Sequence, residues 1–442
     1  MVQSIIWNGR GPFLLRAVAL CVIGCSGGPV LADEMPTWTP AVNLSDLPGR
    51  SFLATLTSDP VSGDLWVVWT DDGVAEQEEV LGRRWVRSAR TWLPVENLSQ
   101  SEPWQRDGGA VLAFDGQGSG LLVWTRTYGV SQGAPASGHD VLWRLWNGLS
   151  WSSEAVLFHD SAYLPGSPGH FGLIPVQTAD GILLFVTWGT GYRTALFQNG
   201  AWSAVTPWAF LPVALEQIIP DPEDDGLLHA AAFGPNSNQT GYNAFFHDAY
   251  YLVYNGLNWS KPLNLSSTTS VADEVGLAFD RQGRLHFLWS DPDSPFSDES
   301  QLSTIWERVM EEGTWSMTNT QVISYNLDQG VDGFWLTVSP TGTFHLAWSE
   351  GVFSGGAHTE LDIYYRSGDG TTWGSEEKVY ASAAASRYPV LAWSPDGPAL
   401  LWQEQFWSGD SLLEEEVYFS QKIGTLPRRY AVSLPVIYKS MR

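Results

Sequence analysis

The chain has almost no cysteine. Among its 442 residues only Cys21 and Cys25 occur, both before residue 33. The remainder therefore holds no disulfide, no cysteine nucleophile and no cysteine-based metal centre. Its stability must come from a hydrophobic core, which about 400 residues suffice to build. Basic residues are also scarce. Lys and Arg number 23 against 48 Asp and Glu, for a formal net charge of −25. Such a surface repels nucleic acid and anionic membranes, so no nucleic-acid partner is expected. Long windows of helical periodicity are missing. Past residue 32 there is no run of about 18 apolar residues that could span a bilayer. Gly-rich phosphate loops, a Gly-x-Ser-x-Gly elbow and a His-Glu-x-x-His helix are absent too.

The first 32 residues read as an export signal. Arg10 and Arg16 carry positive charge, and Ala17 to Gly24 forms a short apolar stretch. Two cleavage readings stand side by side. Val30-Leu31-Ala32 suits cleavage before Asp33. Val22-Ile23-Gly24-Cys25 resembles a bacterial lipobox, which would leave a lipid-bearing Cys25 as an anchor without a spanning helix. Either way a secreted or cell-surface location is expected. Loss of the signal moves the net charge from −25 to −27, because it contains Arg10 and Arg16 and no acid.

What the chain has in excess is tryptophan, 24 residues in all. Seven recur at nearly even spacing. Trp38, Trp92, Trp151, Trp202, Trp259, Trp315 and Trp373 lie 54, 59, 51, 57, 56 and 58 residues apart. Each opens a strand-like run, often after a Gly turn, as in Asn255-Gly256-Leu257-Asn258-Trp259 and Glu312-Gly313-Thr314-Trp315. A constant period of about 50 residues marks a repeat architecture.

Each repeat reads as four strands. In the fifth, Val275 to Asp280 is one strand, Arg281-Gln282-Gly283 a turn, and Arg284 to Trp289 the next strand. Equivalents of that second strand are Leu65 to Trp69, Leu121 to Trp124, Leu183 to Trp188, Leu227 to Phe233, Thr343 to Trp348 and Ala399 to Trp402. A third strand follows a variable loop, as in Leu361 to Arg366, and the Gly-x-Trp turn leads into a fourth. Short apolar runs bounded by Gly, Asp and Asn are strand-turn-strand signals. Four strands per repeat of about 56 residues predict a propeller blade. The expected fold is therefore all-β, a seven-bladed β-propeller of four-stranded blades. Trp38 to Ser45 precedes any complete blade, and the last blade lacks a fourth strand. The N-terminal strand should therefore close the ring, which removes free sheet edges. The expected organisation is a signal over residues 1–32, a propeller over 33–427 and a tail over 428–442. The tail segment Ser433 to Lys439 resembles C-terminal tails of some exported bacterial proteins. A sorting role, a strand packed on the propeller and a loose end all remain open for it.

Ser367-Gly368-Asp369-Gly370-Thr371-Thr372-Trp373 resembles the Asp-box turn of sialidase-like propellers, Ser-x-Asp-x-Gly-x-x-Trp, one residue shorter. The other copies keep the Gly and the Trp. The resemblance spans roughly residues 38–425 as repeats and implies a sialidase-like propeller. Active members of that family clamp a carboxylate with three arginines and use a Tyr-Glu pair and an acid/base Asp. They also carry an Arg-Ile-Pro motif near the first blade. The nearest sequence here is Arg387-Tyr388-Pro389, in the last blade.

In such a repeat the start of the first strand and the end of the second share one face, where loops line the channel mouth. Arg50, Arg106 and Arg387 precede first strands, in blades that neighbour one another around the ring. Asp273, Asp332 and His170 hold comparable places. Asp71, Asp291, Glu350 and Glu404 each follow a second-strand Trp by two residues. The arginines form a candidate clamp for carboxylate or sulfate, with the acids opposite; mutual pairing across blades is the structural alternative. Long loops after the second strand, such as Thr127 to Asp140, Gly234 to Ala249 and Asp291 to Ser303, carry aromatics suited to stacking on sugars. These include Tyr128, Phe245, Phe246, Phe296, Phe353, Phe406 and Trp407. Packing between loops is their other reading.

Three further patterns are weaker. His229, His286 and His345 recur at one second-strand position. Equivalent positions in stacked sheets lie about 10 Å apart, too far to share an ion held at about 2 Å, so a structural role is expected. Asp221, Glu223 and Asp225 alternate like the start of a calcium loop but lack its distal Glu and fall at an expected turn. Calcium is the one cofactor the pattern raises. Asn43-Leu44-Ser45, Asn97-Leu98-Ser99 and Asn264-Leu265-Ser266 match glycosylation sequons, yet their recurrence at one repeat position points to a strand end.

Three functions follow. The leading one is a monomeric, non-catalytic exported propeller that binds an extracellular glycan on its loop-rich face. Arg50, Arg106 and Arg387 would hold an acidic group, and Trp407 would stack on the sugar. The second is a diverged glycoside hydrolase using two of Asp71, Asp291, Glu350 and Glu404, whose separation would set the stereochemistry. The third is a scaffold for a protein ligand.

Overall fold

A computed structural model describes residues 37–73, 77–128, 138–160, 172–188, 191–208, 211–223, 226–235, 247–267, 272–292, 303–323, 330–351, 360–408 and 411–423. The expected signal and the tail lie outside them. The described residues are strands and turns, with no helix among them.

The described strands run in seven antiparallel meanders, here called units 1 to 7. The first strands are Ser51–Ser58, Gln105–Phe114, Gly172–Thr178, Ala214–Pro220, Asp273–Phe279, Gly330–Val338 and Ala385–Ser394. The second are Leu65–Asp71, Gly120–Tyr128, Gly181–Trp188, Leu228–Pro235, Leu285–Pro292, Phe344–Gly351 and Gly397–Ser408. Third strands follow, such as Glu79–Val86 in unit 1, Gly138–Trp146 in unit 2 and Ser411–Gln421 in unit 7, and short fourth strands complete the units. Every residue of Leu65–Asp71 and Phe344–Gly351 is buried. Covered on both faces, such strands read as continuous apolar runs rather than alternating ones. The intervening turns are chemically defined. Asp280 Oδ1 accepts from the Gln282 and Arg284 amides at 2.9 and 2.8 Å, and Gly283 takes φ 77°.

Unit 7 obtains its fourth strand from the start of the chain. Val42 and Asn43 pair with Phe419 and Tyr418, and Trp38 bridges to Lys422. The strand is shorter than the Trp38 to Ser45 expected. Units 6 and 7 also share a parallel pairing, Leu361 with Ala385, so by hydrogen bonding the described strands form six sheets.

The recurring tryptophans join units. Trp38 packs edge-on against Tyr365 of unit 6, Trp92 against Phe419 of unit 7 and Trp151 against Trp66 of unit 1. Trp202 meets Trp143 of unit 2, Trp259 meets Phe185 of unit 3, and Trp315 meets Tyr251 of unit 4. Each of these tryptophans therefore packs on the preceding unit. Seven apolar clusters among the described residues follow the same rule, each drawn from two successive units, one of them from units 7 and 1.

The three Asn-Leu-Ser segments are such joints. Leu44, Leu98 and Leu265 are fully buried. The serine hydroxyls donate to Glu416, Glu79 and Asp248. The next residue, Asp46, Gln100 or Ser267, has φ 42°, 51° or 48°. The segments therefore close strand ends, as their recurrence suggests.

Candidate functional site

Six units carry one extra residue at the same level of the first strand. The ladder slips between Phe52 and Thr55, Gly108 and Val111, Leu215 and Gln217, Asp273 and Val275, Val331 and Phe334, and Arg387 and Val390. Unit 3 keeps an unbroken register. A β-bulge of this kind re-aims side chains. Five bulge residues have positive φ: Leu53 at 51°, Gly109 at 62°, Glu274 at 43°, Gly333 at 84° and Tyr388 at 53°. The two glycines adopt it at little steric cost, whereas Leu53, Glu274 and Tyr388 hold it against Cβ repulsion. Backbone strain of this kind gathers at ligand sites.

These bulges surround one cavity of about 610 Å³ to which all seven units contribute. That volume is in the range of ligand sites. Aromatic surface is open within it, Trp335 at 40% and Tyr388 at 47% exposure. Its charged side chains, among the described residues, are all carboxylates: Glu216, Glu274 and Glu415. Gln403 and Gln405 donate to Glu415 at 3.2 and 2.9 Å. Gln405 is buried, and its Oε1 has no hydrogen-bond partner among the described residues.

The cavity is electrostatically acidic. Burial raises the Glu415 carboxyl above the usual carboxylate range, while its bond to Gln405 and the charges of Arg50 and Arg387 pull it back. Enclosure by the surrounding wall, helped by the neighbouring Glu274, pushes Glu216 up to about 8. The Glu216 side chain is nonetheless exposed to the water of the cavity, which screens it. The direction is what its chemistry rests on: Glu216 takes up its proton at a higher pH than an ordinary glutamate.

Each of the three expected arginines stands against an acid. Arg50 meets Asp72 at 2.8 and 2.7 Å, Arg106 lies 3.7 Å from Glu78, and Arg387 lies 3.1 Å from Asp332. Arg50 and Arg387 both act on Glu415, and Arg50 and Arg106 both act on Glu78. The rim beside the cavity is thus a row of ion pairs. The side chain of Asp273 and the whole of His170 lie outside the described residues. Trp407 is half-buried and does not line the cavity.

The four second-strand acids are buried, and none lines the cavity. Asp71 accepts from Ser51 Oγ at 2.7 Å and from the Gly73 amide at 3.0 Å. Glu350 accepts from Trp348 Nε1 at 2.7 Å. Glu404 accepts from Ser386 Oγ at 2.7 Å, from Trp402 Nε1 at 3.2 Å and from Ser382. Asp291 is 6% exposed. The spacing of two after Trp thus has a local meaning: a glutamate reaches back to its own indole. Burial raises the carboxyls of Glu350 and Glu404, and these donors oppose the rise.

The histidines are structural ties. His229 joins Tyr251 at 2.6 Å and Asp221 at 2.9 Å, His286 joins Glu307 at 2.8 Å, and His345 joins Tyr365 at 2.6 Å. Of the calcium pattern, Asp221 is engaged by His229 and by the Glu223 amide at 2.7 Å, and Asp225 lies outside the described residues. No group of three metal-ligating side chains occurs among the described residues. Tyr128 donates to Asp140 at 2.6 Å, and Phe406 is 37% exposed. Phe245, Phe246, Phe296 and Phe353 lie outside the described residues.

Sequence reasoning missed Glu216, Glu274, Glu415, Trp335 and the bulges. The available signal was a lone glutamate in each of two apolar first strands, at Ala214–Pro220 and Asp273–Phe279.

No family model matches the chain, and no curated protein sequence matches it. Solved structures match in shape. An ulvan lyase from a polysaccharide lyase family gives a TM-score of 0.53 at 11% identity, over 85% of this chain and 95% of that one. Such a lyase bound to -[GlcA(1-4)Rha3S]- gives 0.51 at 12%, over 82% and 90%. The NanB sialidase from Streptococcus pneumoniae gives 0.47 at 11%, over 88% and 70%. At these identities the likeness to the lyases shows the fold alone, an all-β architecture of the propeller type.

Proposed function

We propose that the chain is an exported, monomeric seven-bladed β-propeller, closed by its N-terminal strand, that binds an extracellular glycan without transforming it. The closed ring is supported by the apolar cluster between units 7 and 1 and by the Val42–Asn43 pairing. Export rests on the residues of the 1–32 segment. The observation that carries binding is the central cavity, where an open indole and phenol stand beside carboxylates and amides. Aromatic faces stack on the C–H faces of sugars, and carboxylates and amides bond their hydroxyls. With no cation in the described lining, the cavity suits neutral or amino sugars better than acidic ones. The test is an array of neutral, amino and acidic glycans probed with the purified mature protein. Binding should weaken about tenfold or more in Trp335→Ala and Tyr388→Ala, matching loss of one good aromatic contact. An array with no bound glycan would sink this reading.

One observation favours a second reading, a diverged glycoside hydrolase. Glu216 stands beside Glu274 and takes up its proton at a higher pH than an ordinary glutamate, the division of labour that acid and base carboxyls need. Release of reducing sugar, abolished by Glu216→Gln with binding retained, would establish it.

A further inference from the structure

A second cavity, of about 480 Å³, opens between units 1 and 2 at the end of the strands away from the long loops. Three arginines line it, Arg83, Arg84 and Arg144, together with Trp66, Trp146, Trp151 and Leu149, and Glu96 is also in its wall. Arg83 is committed to backbone carbonyls, which leaves the guanidinium groups of Arg84 and Arg144, from facing sheets, to share this space.

The repeat supplies an internal comparison. The third-strand residues paired with the recurring tryptophans include Trp85, Trp146, Met310 and Gly368. Two positions before each stands an arginine: Arg83, Arg144, Arg308 and Arg366. Arg83 donates to the carbonyls of Leu93 and Leu44 at 2.7 and 3.0 Å. Arg366 donates to those of Gly374 and Val322 at 2.7 and 2.6 Å, and Arg308 to Asn319 Oδ1 at 2.7 Å. These copies tie strands together. Arg144 makes no such bond, and its buried Nε has no hydrogen-bond partner among the described residues. Arg84 Nε is likewise buried without a hydrogen-bond partner among the described residues, although it is ion-paired with Asp64 at 3.7 Å. Its guanidinium is instead held over Trp66 and Trp146, at 5.5 and 5.1 Å from their ring centres. Leaving buried donors unmet costs about 1–3 kcal/mol each. A position that elsewhere bonds carbonyls has here been left open to the cavity.

We infer that this cavity binds a small organic oxyanion, a carboxylate or sulfate on a body the size of one sugar ring. Arg84 and Arg144 clamp the oxyanion as paired forks. Leu149, 90% exposed on its turn, and the Trp151 edge cover the body of the ligand. Glu96 at the opening opposes the anion. The site stands independently of the central cavity, which is acidic and lacks arginine in its described lining.

The experiment is a titration of the mature protein at low salt, read by the fluorescence of the site's tryptophans, with sodium glucuronate, glucose 6-sulfate, glucose and inorganic sulfate. Glucuronate or the sugar sulfate should saturate, and glucose should not. Arg144→Met should weaken binding at least tenfold while unfolding within a few degrees of wild type, because Arg144 makes no hydrogen bond or ion pair among the described residues. Glu96→Gln should strengthen it. If Arg84→Met fails to fold, having lost its tryptophan contacts, Arg144→Met still decides. Equal binding by wild type and Arg144→Met, equal binding of glucose, or no saturation by any anion would overturn the site. Inorganic sulfate binding as tightly as the sugar anions would overturn the sugar-sized body.

Discussion

Truncating Trp38 tests whether the N-terminal segment is the last strand of unit 7. The indole is 6% exposed, stands edge-on to Tyr365 at 4.9 Å, donates to Glu377 at 3.2 Å and lies 5.2 Å beneath the Lys422 ammonium. Removing a buried aromatic side chain costs about 3–5 kcal/mol. Leu44 is 0% exposed and sits in a different cluster, the one joining units 7 and 1. Leu44→Ala should cost about 2–5 kcal/mol. Because the two share no cluster, the double variant should lose about 5–10 kcal/mol, comparable with the whole stability of an ordinary domain. Urea unfolding followed by tryptophan fluorescence and circular dichroism would measure this. Met317→Ala, at a site 94% exposed, serves as control and should stay within about 0.5 kcal/mol of wild type. Wild-type midpoints for both Trp38→Ala and Leu44→Ala would refute the closure.

Three other outcomes are expected. Burial, and to a lesser degree Lys422, lowers the His345 imidazole to about 4. The unfolded chain therefore binds that proton first, and stability falls by up to about 3 kcal/mol as pH drops from about 6.5 towards 4; an NMR titration of His345 with a midpoint near 6.5 would refute it. Arg126 is paired with Asp107 at 2.7 Å and with Glu154 at 2.7 and 2.9 Å, and Asp107 is 0% exposed. Arg126→Met should cost about 3–5 kcal/mol at neutral pH and recover partly in acid, as Asp107 is neutralised; a loss independent of pH would count against this. Since the Glu216 carboxyl is raised in the folded state, its contribution is complete at acid pH and disappears as pH rises through about 8. Glu216→Gln should flatten that part of the stability profile, and an unchanged profile between pH 5 and 9 would show that Glu216 titrates as an ordinary glutamate.

Much of the fold was legible because it is local and periodic. Second strands such as Leu65–Asp71 and Phe344–Gly351 are buried on both faces, and this leaves a continuous apolar run in the chain. The recurring tryptophans keep an even spacing because each must reach the preceding unit from the same level. The Asn-Leu-Ser segments were legible as strand ends for the same reason. The site was much less legible. Asp71, Asp291, Glu350 and Glu404 stood out by their spacing from tryptophan, yet at Glu350 and Glu404 that spacing serves a bond to the strand's own indole. The repeat pointed to Arg50, Arg106 and Arg387, but Asp72 and Glu78, which pair with two of them, sit in loops with no period.

Periodicity alone determined an all-β chain of stacked four-stranded repeats, with an N-terminal strand left over to pair with the last. The tertiary structure decided which side chains meet across units. A bulge adds one residue without altering composition, yet it turns Tyr388, Glu274 and Leu53 towards the central cavity. Arg144 has the same register as Arg83 and Arg366, yet it makes neither their bond to the residue after the recurring tryptophan nor their bond into the preceding unit. Such differences depend on how two sheets stack, a relation between residues far apart in the chain that no local pattern records.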